Sequence, residues 1–111
     1  MNRIAMSPAA GAVLRALIKR AKASRDRILL TDVRSVAWRS LTFDGERHEF
    51  DLRIVGPHAD AIAQRMCHGL EEAEFSIPGI IVADIAIAGG PEMASDGSAR
   101  LSIEALTVTD D

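Results

Sequence analysis

From Glu49 to Ile54 the chain alternates strictly. Phe50, Leu52 and Ile54 share one parity; Glu49, Asp51 and Arg53 share the other. A period of two describes a strand with one dry and one wet face, and a helix cannot satisfy it. Just upstream, Asp44-Gly45 separates two apolar runs, so Ser40 to Ile54 reads as a β-hairpin. Its turn is expected at Phe43-Asp44-Gly45-Glu46, with the glycine at positive φ. The first strand is expected from about Val33 to Phe43 and the second from His48 to Val55. Val36 and Trp38 lie on one parity of the first strand, Leu41 and Phe43 on the other. A β-bulge between the two pairs would reconcile them.

Helices precede and follow this hairpin. Ser7-Pro8 is a helix start: a hydroxyl cap, then proline in the first turn. Val13, Leu14, Leu17, Ile18 and Ala21 then fall on one face, and Lys19, Arg20, Lys22 and Arg25 crowd the end, where cations suit the helix dipole. A second helix is expected over Ala59 to Ala73, with Ala59, Ile62, Ala63, Met66, Leu70 and Ala73 on its apolar face. Ile80 to Ala88 reads as a mostly buried strand and Arg100 to Val108 as its partner, with a flexible loop, GGPEMASDGS, between them. The order helix, strand, strand therefore occurs twice. At an offset of 52, Ile28 meets Ile80, Asp32 meets Asp84, and Asp44-Gly45 meets Asp96-Gly97. The expected fold is one α+β domain of 111 residues: a four-stranded, mainly antiparallel sheet with two helices on one face. Its other face is left open, and Trp38, Leu41 and Phe43 do not all fit inside.

Charge is unevenly distributed. Residues 1–39 carry nine Lys and Arg against Asp26 and Asp32, a balance of +7; residues 40–111 carry four Arg against 14 carboxylates, a balance of −10. Such a chain can attract copies of itself, or the two parts can neutralise each other within one fold. The basic first helix also suits nucleic acid, but no aromatic pair on a strand offers a base-stacking platform, and no specific nucleic-acid partner is expected. A single cysteine, Cys67, rules out an internal disulfide. The N-terminal segment lacks the order of a secretory signal, base first and then an apolar block, and no apolar run is long enough to span a bilayer, so a cytoplasmic protein is expected.

Catalytic patterns are missing. Ala88-Gly89-Gly90-Pro91 lacks the GK[ST] of a phosphate loop, and there is no GxSxG. His48, His58, Cys67 and His68 are the candidate metal ligands, but neighbouring Cys67 and His68 point about 100° apart on a helix. Cys67 with His48 or His58 is a conceivable nucleophile and base; a packed thiol is the simpler account. No catalytic, cofactor or metal residue is assigned. An alternative reading is a small dimeric ligand-binding or enzymatic domain, with a pocket between sheet and helices near His48, Asp84 and Glu104.

The run SVAWRSLTFDGERHEFDLRI, an amphipathic helix, PGIIVADIAIA, a loop and a closing RLSIEALTVTDD resemble the tail-completion (tail terminator) proteins of long-tailed phages. They look closest to relatives in the gene transfer agents of alphaproteobacteria. The matching residues are Gly45 to Ile54, Ala59 to Ala73, Ile80 to Ile85 and Arg100 to Val108. The resemblance implies a non-enzymatic assembly protein that forms a ring of six copies. The ring caps the tail tube and joins tail to head, with tube and head-connector proteins as partners. A closed ring joins one patch to a different patch. The candidates are a basic surface at Arg15, Lys19, Arg20 and Lys22, and a hairpin edge at Trp38, Phe43, Asp44, Gly45, Glu46, Glu49 and Asp51.

Overall fold

The computed structural model describes residues 5–109. The elements are α1 (Pro8–Ala21), β1 (Ile28–Arg39), β2 (Asp44–Ile54), α2 (Ala59–Cys67), β3 (Ile80–Met93) and β4 (Ala99–Thr109), with single 3-10 turns at Arg25–Arg27 and Leu70–Glu72. The strands form one antiparallel sheet in the order β1-β2-β4-β3. Both helices lie over one face of it, giving the expected α+β fold.

The alternation in β2 builds the core. Phe50, Leu52 and Ile54 face Ile103, Leu101 and Ala99 across the β2–β4 register. All six are buried with Val13, Leu14, Leu17 and Ala21 of α1 and Ile62, Ala63 and Met66 of α2. The odd residues of β2 line the opposite, uncovered face. Ser7 caps α1 as its sequence promised, its Oγ accepting from the Ala10 amide at 3.1 Å.

The two αββ units are related in detail. β1 begins at Ile28 and β3 at Ile80; each has a register shift three residues later, at Thr31 and at Ala83. The offset is 52 in both cases. Each unit places its first strand on an edge and its second strand in the centre. The bulge inserts one residue, so Ile28, Leu30 and Val33 reach the core side of β1, and Val82 and Ile85 reach that of β3.

Several boundaries differ from expectation. The first strand starts at Ile28 and ends at Arg39, and its bulge lies at Thr31, not beyond Trp38. The turn is Ser40–Phe43. The Ser40 amide donates to the Phe43 carbonyl at 2.9 Å, and Ser40 Oγ accepts from the Phe43 amide at 3.0 Å. The serine side chain thus closes the turn, and Asp44, Gly45 and Glu46 already belong to β2. Gly45 is not at positive φ; its small size is what matters. A Cβ there would lie 2.2 Å from the Thr107 carbonyl oxygen and 2.8 Å from Trp38 Nε1.

α2 stops at Cys67, because Gly69 takes a left-handed conformation (φ 66°) and the chain continues as a 3-10 turn. β3 is longer than expected and mostly exposed, with Ile85 its one buried residue. It is an edge strand and packs on one side only. The first half of the expected loop, through Met93, is strand, and the turn is confined to Ala94–Ser98.

Candidate assembly surface

The open face is built from the strand parity opposite to the core. Leu29, Arg34, Val36 and Trp38 of β1 lie beside Arg53, Glu49, Arg47 and Gly45 of β2. These in turn lie beside Arg100, Glu104, Leu106 and Val108 of β4. Polar pairs cross it: Arg34 to Glu49, and Ser102 Oγ to Asp51 Oδ1 at 2.7 Å. Toward the Ser40–Phe43 end the face turns apolar. Val36 is 65% exposed, and the Trp38 indole lies over Gly45. Val108, the next residue across, is buried. Trp38 is thus half-buried on the open face and outside the core. Its indole N–H is buried without an acceptor among the described residues.

Beyond this face the β1–β2 turn projects. Leu41 is fully exposed and Phe43 is 53% exposed. The Arg39–Asp44 ion pair, at 3.2 Å, closes the base of the turn.

The sequence-derived surface residues fall into separate groups. Trp38, Gly45, Glu49 and Asp51 share the open face, and Phe43 and Asp44 stand at its end. Glu46 has the opposite parity and is half-buried on the helix side. Arg15, Lys19 and Lys22 are exposed on α1, in the helix layer. Arg20 is committed elsewhere: its Nε donates to the Met66 carbonyl at 3.1 Å and its Nη2 to that of His68. In return Arg65 Nε donates to the Ala21 carbonyl at 2.9 Å. Each helix therefore satisfies the orphan carbonyls at the other's C-terminal end.

The alternative pocket does not form as expected. His48 is buried on the core side, whereas Glu104 and Asp84 are exposed on the open side. The imidazole is held by two hydroxyls. Nδ1 lies 2.7 Å from Ser35 Oγ and Nε2 lies 2.9 Å from Thr107 Oγ1. The Thr107 hydroxyl also reaches the Glu46 carbonyl at 3.4 Å, so it accepts from an Nε2–H. Ser35 then donates to Nδ1, and the ring is neutral. Burial pushes the His48 pKa down, against a smaller upward pull from Glu46. A hydroxyl beside an imidazole is the geometry of an activated nucleophile; here the ring is sealed, and the second nitrogen meets threonine instead of a carboxylate.

Cys67 is half-buried, and burial pushes its thiol up despite Arg20. It lines an open cleft of about 950 Å³ with Arg20, Lys22, Gln64, Arg65 and His68. Among the described residues, no three His, Cys, Asp or Glu side chains stand together as a metal site, and no helix is long and apolar enough to cross a membrane. Comparison with known proteins identifies no matching family model and no matching curated protein.

Proposed function

We propose that this chain is a structural assembly protein that associates with copies of itself into a closed ring, in the manner of a phage or gene-transfer-agent tail terminator. The observation that carries this reading is the sheet's uncovered face together with its projecting turn. They expose Val36, Leu41, Phe43 and Ile81 on a chain that has ample core elsewhere. Clustered exposed apolar residues at the rim of a polar face fit a protein partner. The unpaired backbone of β1 adds an edge on which another chain can dock. The resemblance supplies the setting: six copies at the end of a tail tube, between tube and head connector.

Light scattering over a range of protein and salt concentrations tests the reading. A mass of six chains, or a concentration-dependent rise toward it, supports the ring. A single-chain mass at millimolar protein and low salt counts against self-assembly. A stable dimer redirects attention to pairing of open faces.

A further inference from the structure

Three cations stand together without an anion. Arg20 and Lys22 at the end of α1 and Arg65 of α2 line one open cleft of about 950 Å³. No carboxylate lines it, and among the described residues none of the three is ion-paired. On the sheet the opposite holds: Arg34, Arg39 and Arg53 each meet a carboxylate. Like charges gathered in one place repel, and an anion among them relieves the repulsion.

The two guanidiniums of the cleft are oriented and only partly used. Arg65 Nε donates to the Ala21 carbonyl at 2.9 Å, and its two terminal nitrogens have no protein partner among the described residues. Arg20 uses Nε on the Met66 carbonyl at 3.1 Å and Nη2 on that of His68, which leaves Nη1. Neutral carbonyls fix both forks and leave their net charge in place. A fixed guanidinium loses little freedom on taking a further acceptor, and its remaining N–H groups suit the oxygens of an anion.

Lys22 adds an independent observation. It follows α1 in the left-handed region, at φ 53° and ψ 42°. That backbone suits glycine or asparagine, and a lysine there is strained. Glycine would end the helix with less strain. A residue held against its own backbone preference points to a use for the side chain, and this side chain lines the cleft.

The rest of the cleft describes the other end of a ligand. Ala61, Cys67 and Pro91 give it apolar lining, and Gln64 offers a neutral donor and acceptor. An inorganic phosphate fills a small part of such a volume, which is the size of a pocket for an organic molecule. Three cations match a phosphate monoester, about −2 at neutral pH, better than a single carboxylate.

We infer that this cleft binds a phosphorylated small molecule, its phosphate held by Arg20, Lys22 and Arg65 and its uncharged body against Ala61, Cys67 and Pro91. The site lies in the helix layer, apart from the open sheet face, and does not depend on self-assembly.

Phenyl phosphate and inorganic phosphate are the probes, titrated calorimetrically into dilute protein. Cys67 is a built-in reporter through its rate of alkylation by N-ethylmaleimide. The expected result is saturable binding of phenyl phosphate, about tenfold tighter than inorganic phosphate, that slows alkylation of Cys67. Lys22→Gly separates a ligand role from a structural one. It relieves the backbone, so the melting temperature is expected to hold or rise, while affinity for phenyl phosphate falls about tenfold. Unchanged affinity in folded Lys22→Gly, equal affinity for the two probes, or no saturation at millimolar phenyl phosphate would each overturn the inference. A short DNA duplex that binds more tightly than phenyl phosphate, and weakens with Arg15→Gln outside the cleft, would show a nucleic-acid backbone lying across α1 and overturn the small-molecule occupant. Loss of self-association in Lys22→Gly with no binding of either probe would assign the lysine to contact between copies and overturn the site.

Discussion

At the residue scale, Gly45 and His48 are the positions where small changes have defined consequences. Gly45→Ala places a methyl group against the Thr107 carbonyl and the Trp38 indole. The carbonyl belongs to the central strand and cannot retreat, so the substitution is expected to cost about 1–3 kcal/mol in urea unfolding. Trp38 is the one tryptophan, so its emission reports the displaced ring directly. His48 sets a pH dependence. Its native pKa lies below the ordinary 6.5, because burial disfavours the imidazolium. The unfolded chain therefore binds the proton first. The stability linked to this ring is fully present above about pH 6.5 and falls as the pH drops below it, until the native ring also protonates. Urea midpoints between pH 8 and pH 5 are expected to fall more steeply for the native chain than for His48→Gln. Equal slopes would show that the ring is not the titrating group. This role was not legible in the sequence: His48 occupies a core parity position in an alternating strand, but its two hydroxyl partners, Ser35 and Thr107, come from other strands and are set only by register.

At the scale of elements, the helices hold each other's ends. Arg20→Met and Arg65→Met each remove a guanidinium that satisfies carbonyls at the other helix's terminus. Each is expected to cost about 1 kcal/mol. The double variant is expected to lose less than the sum, because the two links brace the same junction; a double-mutant cycle measures the difference. The β3–β4 turn has its own signature. Asp96 Oδ1 accepts from the Ser98 hydroxyl at 2.6 Å and its amide at 2.9 Å, and Oδ2 meets Arg53. These contacts, the Ser98 hydroxyl first, bring the Asp96 carboxyl down to about 2. A carbon-detected titration is expected to find its midpoint near that value, and higher but still below the ordinary range in a Ser98→Ala variant, which keeps the residue-98 amide and Arg53. The elements themselves were largely legible. Helix starts, the β2 alternation and the doubled order came from caps and periodicity, which are local. What misled were features fixed by partners. The Asp-Gly pair looked like a turn, but the serine four residues earlier closes it. The apolar run of β3 looked buried, but its place at the sheet edge leaves only one side covered. The mixed parity around Asp84 resolves through a bulge at Ala83, which a single strand's sequence does not announce and the parallel case at Thr31 makes intelligible.

At the scale of the molecule, folding cancels part of the charge asymmetry of the chain and leaves part of it exposed. Arg34 and Arg39 of β1 pair with Glu49 and Asp44 of β2. The basic residues of α1 stay in the helix layer, where Arg15, Lys19 and Lys22 are exposed. The five carboxylates of residues 70–93 have no Lys or Arg among them. An intramolecular ion pair would be insensitive to protein concentration; attraction between oppositely charged surfaces of separate copies is not, and salt screens it. The Debye length falls from about 10 Å at 0.1 M salt to about 3 Å at 1 M. Association of the native chain is therefore expected to weaken several-fold over that range. The Leu41 and Phe43 contribution does not screen, so association is not abolished. Reversing the exposed base of the α1 end with Lys19→Glu and Lys22→Glu is expected to weaken association at 0.1 M and to flatten its dependence on salt. Sedimentation velocity at both salt concentrations measures each arm. A native chain whose association is indifferent to salt would leave the apolar tip as the whole of the contact and remove charge from the account of how copies orient.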